Sequence, residues 1–423
     1  MARDTHPTLP RRWRPDLLIQ NAIALMVSSG GSAVLGVVFW ALAAHLAPAA
    51  TVGETTAAIA AMVLLATLGQ LSFGPIFERF LPVAGELTHS FVRRSYVLCV
   101  ATSVVLVTGY LALGFGRNFL GSSPGGMGFF AVAVVLWAIF ALQDSVLIGL
   151  RSSKWVAVEN VGYGLVKLVL LPVFVGLSKT TGILTAWVIP VTLAILGVNW
   201  YLFRVRIPAH MATNRRSAEL PTTRELFSLS TAQYASLLST VFLPAIVTLV
   251  VIERLGAVAN AYYYLPSLIT TSLGMVAWSI VRSFIVEASA EPASLRRHAD
   301  QALRGLAVVL IPSIVLGVIL APYYLRVFGT RYAEHGTTLI RMLLVAMLGS
   351  AVMVYYSAFA WIDKRVWWLT LRNVVFSAIY LVVVFTLIKR LGIDAIGVAS
   401  LVYAALSVAV FLPITVRRYR RIP

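Results

Sequence analysis

The chain of 423 residues is 59% hydrophobic and only 12% charged. Soluble domains carry about twice that charged fraction, so the composition excludes an ordinary soluble enzyme. The net charge of +18 does not indicate nucleic-acid binding, because the basic residues lie in short segments between apolar runs, as in the cytoplasmic loops of membrane proteins. The single cysteine, Cys99, excludes a disulfide within the chain.

In chain order, a basic segment over residues 1–20 is predicted to be a cytoplasmic tail. Apolar runs of about twenty residues follow it, which is the length that crosses a hydrocarbon core of about 30 Å. We predict about twelve transmembrane helices. They occupy residues 21–45, 54–81, 94–115, 127–150, 155–177, 181–203, 226–252, 257–286, 302–322, 336–361, 366–389 and 393–416.

The longest polar interruption, residues 204–225, is predicted to be a cytoplasmic linker. It separates an N-terminal six-helix bundle, 21–203, from a C-terminal six-helix bundle, 226–416, and a basic cytoplasmic tail follows at 417–423. With the amino terminus inside, the inner segments hold 23 Lys and Arg residues and the outer segments hold seven. The positive-inside rule therefore predicts an all-α polytopic membrane protein with both termini in the cytoplasm.

The two halves resemble each other weakly. Trp155 and Asn160 recur as Trp368 and Asn373, an offset of 213 residues. Other matches pair Asp144-Ser145 with Tyr356-Ser357, Gly182-Ile183 with Gly392-Ile393, and Arg79 with Arg282. Six helices per copy return the chain to the same side, so the copies are predicted to be parallel and pseudo-symmetric about an axis along the membrane normal. Such bundles are typical of alternating-access transporters.

Polar residues follow one face of the first predicted helix of each half, at helical spacing. They are interpreted as the lining of a central cavity, with close helix packing through small residues as the alternative. The predicted lining consists of Asn21, Ser28 and Ser32 in the first helix and Gln233, Ser236 and Thr240 in the seventh.

Basic side chains inside predicted spans are the main candidate site residues. Each costs about 2.5–3.5 kcal/mol near the bilayer centre on insertion scales, so it usually has a partner or faces a wet cavity. The candidates are Lys167, Arg282, Arg372, Arg341 and Arg79. Their excess over buried acids predicts a cationic cavity suited to an anion, and to phosphate above all. The alternatives are snorkelling of the arginines to the headgroups and pairing of Lys167 with Asp144.

Few acids lie in the predicted spans. Asp144 and Glu159 are assigned as possible coupling or structural acids. The six histidines are scattered without metal-ligand spacing, and no catalytic constellation is present, so we predict no metal, no cofactor and no enzymatic activity. No nucleic-acid partner is expected.

Three sequence blocks carry a resemblance to a known family. They are residues 21–82 with the ending Arg79-Phe80-Leu81-Pro82, the segment Phe328-Gly329-Thr330-Arg331-Tyr332, and Gly392-Ile393 with Gly397-Val398-Ala399. With these blocks the chain resembles the polysaccharide-unit flippases of the multidrug/oligosaccharidyl-lipid/polysaccharide exporter superfamily.

The resemblance implies a flippase in the bacterial inner membrane. It would move a polyprenyl-diphosphate-linked oligosaccharide from the cytoplasmic to the outer leaflet for polysaccharide or lipopolysaccharide synthesis, alongside a polymerase or glycosyltransferases. Some relatives couple transport through an acid in the first, seventh or eleventh helix, and this chain has none there.

Two other functions stay open from the sequence. One is a multidrug or cation antiporter of the same superfamily, with Asp144 as the acid that exchanges a proton. The other is a polyprenyl-dependent membrane glycosyltransferase, polymerase or ligase. The predicted outer segments are short, Glu54 is the one acid at the first of them, and the histidines are scattered without metal-ligand spacing.

Overall fold

The fold was analysed in a computed structural model. It describes residues 15–120, 123–213, 234, 237, 241–290, 294–363 and 366–420, with the side chains of the first helix from Gly31 onward. The described chain is α-helical and contains no strand. Its helices are α1 Pro15–Leu46, α2 Ala49–Gly69, α3 Phe73–Phe80, α4 Thr88–Ala112, α5 Arg117–Leu120, α6 Pro124–Gly149, α7 Ser153–Leu177, α8 Gly182–Tyr201, α9 Ile207–Thr213, α10 Leu243–Leu255, α11 Ala257–Ala290, α12 Leu295–Arg326, α13 Thr330–Ile362, α14 Val366–Leu391 and α15 Asp394–Arg420.

Ten helices within the described residues are long and apolar enough to cross a membrane. The first predicted span contributes a shorter apolar stretch, Gly31–Leu46. Much of the seventh predicted span lies outside the described residues. The predicted all-α polytopic membrane fold is confirmed.

The second predicted helix, 54–81, is not continuous. α2 ends at Gly69 and α3 begins at Phe73, with Leu71 at φ 50° and Ser72 at φ 58° between them. Pro75 explains the break, because it has no N–H to donate and its ring would collide with the carbonyl of residue 71 in a continuous helix. Arg79 therefore lies on the short helix α3, after the span.

The predicted linker, 204–225, begins as helix. A π-helical turn, Leu202–Arg206, continues α8 into α9, so helical structure extends to Thr213. The rest of that segment lies outside the described residues. At the other end of the chain, α15 continues to Arg420, into the predicted basic tail.

Two helices of the N-terminal bundle and their counterparts in the C-terminal bundle begin at nearly the same offset as the sequence matches. α7 begins at Ser153 and α14 begins at Val366, and the offset equals that between Trp155 and Trp368. α8 and α15 follow at nearly the same spacing. Residues 213 apart in α7 and α14 therefore lie at the same turn of equivalent helices.

The two bundles contact each other through α2, which packs against α10 and α11. A Cβ on Gly53 would collide with the backbone oxygen of Ala257, so this approach requires glycine. Asn260 Nδ2 donates to the carbonyl of Gly53 at 2.8 Å and to the Thr56 hydroxyl at 3.0 Å. These contacts join the bundles at the end that the sequence predicts to face outward.

Candidate functional site

Lys167 lies in the middle of α7, inside the N-terminal bundle, and its residue is only 6% exposed. Its Nζ lies 3.8 Å from the ring centroid of Trp187, 4.8 Å from that of Tyr163 and 5.0 Å from that of Phe39. Faces of aromatic rings carry negative potential and stabilise an ammonium by about 0.5–2 kcal/mol. Helices α1, α7 and α8 thus hold this cation among rings.

No carboxylate of the described residues forms a salt bridge with Lys167. Asp144, the partner considered from the sequence, instead accepts a hydrogen bond from Asn160 Nδ2 at 3.0 Å. Among the described residues, no acid therefore neutralises Lys167.

Arg372 lies on α14 in the C-terminal bundle and is 7% exposed. Its Nη2 donates to Asn373 Oδ1, and the guanidinium carbon lies 5.7 Å from the ring centroid of Phe411. Its Nε and Nη1 are buried and have no hydrogen-bond partner among the described residues. Leaving a buried donor unsatisfied costs about 1–3 kcal/mol, so an anion that accepts from these nitrogens would be bound favourably.

The other three candidate cations are exposed side chains. Arg341 Nε donates to the carbonyl of Val318 at 3.0 Å, and the Arg79 guanidinium lies 5.2 Å from the ring centroid of Phe80. Arg282, on α11, acts electrostatically on Glu78 of α3. The five candidates do not form one cluster: Lys167 and Arg372 are buried in separate bundles.

Of the six residues in the two predicted polar stripes, the structure describes the side chain of Ser32 alone. This residue is half-buried, and its hydroxyl oxygen has no hydrogen-bond partner in the described part of the chain. The other five predicted lining residues lie outside the described side chains. They are Asn21, Ser28, Gln233, Ser236 and Thr240.

A buried network of amides and acids connects α6, α7 and α8. Gln143 is fully buried, and its Nε2 donates to Glu159 Oε1. Asn199 Nδ2 donates to Gln143 Oε1 at 2.6 Å. The sequence singled out Asp144 and Glu159 but missed Gln143 and Asn199. Both could have been found from the sequence, because each is an amide within an apolar run and a buried amide needs hydrogen-bond partners.

No protein-family model matches the chain, and no curated protein matches it. Several solved structures are similar to the chain. It is similar to the MATE multidrug transporter DinF-BH, with 14% identity, coverage of 99% of this chain and 98% of that chain, and a TM-score of 0.65. It is also similar to an inward-facing conformation of a MATE family transporter of the MOP superfamily, with 13% identity, coverage of 95% and 98%, and a TM-score of 0.64.

A third similar structure is a MOP superfamily transporter from Pyrococcus furiosus, whose published description is "reverse polarity of binding pocket suggests different function". It shares 14% identity over 96% of each chain, with a TM-score of 0.60. The chain therefore has the fold of the MATE transporters of the MOP superfamily.

Proposed function

We propose that the chain is a flippase that moves a polyprenyl-diphosphate-linked oligosaccharide from the cytoplasmic to the outer leaflet of a bacterial inner membrane. The observation that carries this proposal is that two deeply buried cations, Lys167 and Arg372, have no carboxylate partner among the described residues. Alternating access of the two bundles would expose these cations to each side in turn. A polysaccharide polymerase or glycosyltransferases would be its partners.

Charge favours an anionic substrate over a cationic drug. A buried unpaired cation is expensive in a low dielectric, and an anion lowers that cost whereas a second cation raises it. The Pyrococcus furiosus transporter described above supports this argument, because it has a similar fold and a binding pocket of reverse polarity.

The type of each cation fits a diphosphate. A guanidinium with two unoccupied N–H groups can form paired hydrogen bonds to phosphate oxygens, and this applies to Nε and Nη1 of Arg372. The ammonium of Lys167, which lies among aromatic rings, would act as a compact point charge. Each bundle thus supplies one positive group, so that bringing the bundles together around a diphosphate engages both.

A multidrug antiporter is the second candidate function. It is favoured by the buried acids Asp144 and Glu159, which resemble a proton-exchange site, and by the MATE fold itself. The two candidates make opposite predictions about Lys167 and Arg372, because a cationic drug requires neither.

The test uses cells that lack the chain and asks whether lipid-linked oligosaccharide accumulates facing the cytoplasm. Complementation is then measured with the wild type, Lys167→Ala and Arg372→Ala, at matched membrane levels. Arg390→Ala is the control for Arg372, because Arg390 lies on the same helix and is exposed. Accumulation with both site variants, but not with Arg390→Ala, supports the proposal. Full complementation by both site variants contradicts it.

A further inference from the structure

We propose that an apolar groove on the C-terminal bundle binds an anionic phospholipid of the cytoplasmic leaflet, with an acyl chain in the groove and the phosphate at an arginine-rich mouth. The groove has a volume of about 270 Å³ and is lined almost entirely by apolar side chains of α12, α13 and α15. Its described lining residues do not include Lys167 or Arg372. The proposal goes beyond the proposed function, because it concerns a constituent of the membrane and not the transported molecule.

The groove is formed where three helices of the C-terminal bundle lie together. α13 packs against both α12 and α15, and all three helices contribute lining side chains. Leu303 of α12 and Leu348 of α13 are each 48% exposed, and Leu412 of α15 is 42% exposed. A contiguous apolar surface of this kind marks a binding groove or a contact with the membrane. The interior of the groove therefore suits a hydrocarbon chain.

The length and position of the groove match one leaflet of the membrane. On α12 the lining residues run from Leu303 to Ile311, a rise of about 12 Å. α12 begins at Leu295, at the end that the sequence predicts to face the cytoplasm, and Ile311 lies near its middle. One leaflet contributes half of a hydrocarbon core of about 30 Å. The groove therefore spans the cytoplasmic leaflet and matches the depth of an acyl chain there.

Arginines continue the walls of the groove toward the cytoplasm. On α12, Arg296 and Arg304 precede groove-lining residues by seven and three positions, so they lie on the same helical face. On α15, Arg420 follows the lining residue Val416 by four positions. All three arginines are exposed. Basic pockets between helices at the cytoplasmic face bind anionic lipid headgroups, so this mouth is complementary to a phosphate.

Two acids near the mouth are each held by a neighbouring side chain. Asp363 forms an ion pair with Arg418, with 2.9 Å between Oδ1 and Nη2. Asp300 accepts a hydrogen bond from the Tyr419 hydroxyl, which connects α12 to α15 at this end. The Arg296 guanidinium carbon lies 5.1 Å from the ring centroid of Tyr419. The mouth is therefore a built contact between the two walls of the groove.

The charges at the mouth do not cancel. Arg304 and Arg420 form no salt bridge with the described residues. Three arginines, Arg296, Arg304 and Arg420, thus stand against the one acid Asp300, which leaves a positive mouth. A second copy of this chain on the same groove would place these arginines near their own equivalents in a two-fold contact, and like charges oppose such an interface. An anionic headgroup is favoured by the same charges.

The first experiment measures lipid bound to the purified full chain by native mass spectrometry. It compares phosphatidylglycerol with phosphatidylethanolamine of identical acyl chains, and the wild type is expected to retain phosphatidylglycerol more strongly. Arg296→Gln and Arg420→Gln are each expected to lower the affinity for phosphatidylglycerol about fivefold, which corresponds to about 1 kcal/mol per basic residue near an anionic surface. Equal retention of the two lipids by the wild type would overturn the proposal.

Arg326→Gln is the matched control for Arg296→Gln. Arg326 is exposed at the opposite end of α12, and its guanidinium carbon lies 5.5 Å from the ring centroid of Tyr323, much as Arg296 lies beside Tyr419. The control is expected to bind phosphatidylglycerol as the wild type does. A loss in Arg326→Gln equal to that in Arg296→Gln would show attraction by overall charge and would overturn the site.

The second experiment tests the groove without changing its charge. Ala307 lines the groove one turn from Arg304, and Ala307→Trp is expected to remove the bound phosphatidylglycerol because the indole occupies the space of the acyl chain. If Ala307→Trp does not fold, Ala307→Leu is used and is expected to weaken retention in the same direction. Retention equal to that of the wild type in the variant that folds would contradict the proposal.

The third experiment separates the other occupants of the groove. Light scattering in detergent is expected to give the same mass for the wild type and Ala307→Trp, and a dimer that Ala307→Trp dissociates would overturn the proposal in favour of a second copy. A lipid-linked diphosphate in equal amount is expected to leave phosphatidylglycerol bound, and displacement would overturn it in favour of the transported molecule. Because lipid retention is measured without transport, it tests the groove even if the proposed substrate proves wrong.

Discussion

Glu159 on α7 and Arg372 on α14 occupy equivalent positions in the two bundles, 213 residues apart, and carry opposite charges. Each is followed by an asparagine, and the asparagines have opposite roles. Asn160 donates its N–H to a carboxylate, whereas Asn373 accepts a hydrogen bond from the guanidinium. An asparagine amide has both a donor and an acceptor, so it can form a hydrogen bond with a group of either charge.

Arg372→Ala is expected to weaken binding of an anionic ligand. Hydrogen bonds to charged groups contribute about 1.5–3 kcal/mol, so affinity for a lipid-linked diphosphate should fall about 10- to 150-fold. Arg372→Lys should restore it only in part, because an ammonium cannot form the paired geometry of a guanidinium. The measurement is ligand-induced thermal stabilisation in detergent, with Arg390→Ala as the control. Full rescue by lysine would show that only the charge matters.

Lys167→Met is expected to abolish flipping without unfolding the protein. Methionine keeps an unbranched apolar stem among Phe39, Tyr163 and Trp187, and removes a buried charge that has no carboxylate partner in the described chain. Replacing a buried charge by a well-packed apolar group is often neutral or stabilising. Unfolding in detergent and flipping in vesicles are measured on the same preparation. Unchanged flipping would remove Lys167 from the site.

The sequence predicts the helices well because apolar length and basic loops are local signals, but it does not predict which side chains meet. The sequence predicts Lys167 near the middle of a span, as the structure shows, whereas two of its three rings, those of Phe39 and Trp187, come from α1 and α8 and are distant in sequence. Gln143 and Asn199 lie 56 residues apart, so their hydrogen bond depends on how α6 packs against α8. The interruption before Pro75 was missed because the apolar run continues through it.

Gln143→Leu is expected to destabilise the N-terminal bundle. It removes the hydrogen-bond partner of Glu159 Oε1 and one of the two partners of Asn199 Nδ2, and a buried group left unsatisfied costs about 1–3 kcal/mol. The double variant with Asn199→Leu should lose less than the sum of the single changes, because removing both partners of a hydrogen bond avoids one unsatisfied group. Denaturant unfolding of the four proteins measures this coupling. Strict additivity would show that the two amides act independently.

Asn260→Ala is expected to open the contact between the bundles at the end predicted to face outward. It removes the hydrogen bonds to Gly53 and Thr56, and interhelical hydrogen bonds in membranes contribute about 0.6 kcal/mol on average and up to about 1.7. The population of the open state should therefore rise about 3- to 20-fold. Gly53→Val should act in the same direction more strongly, because its side chain would meet the backbone of Ala257. The native Cys99 is buried, so a cysteine introduced at Ala261, which is buried beside Gly53, reports opening through its rate of labelling. Unchanged labelling in both variants would show that other contacts hold this end closed.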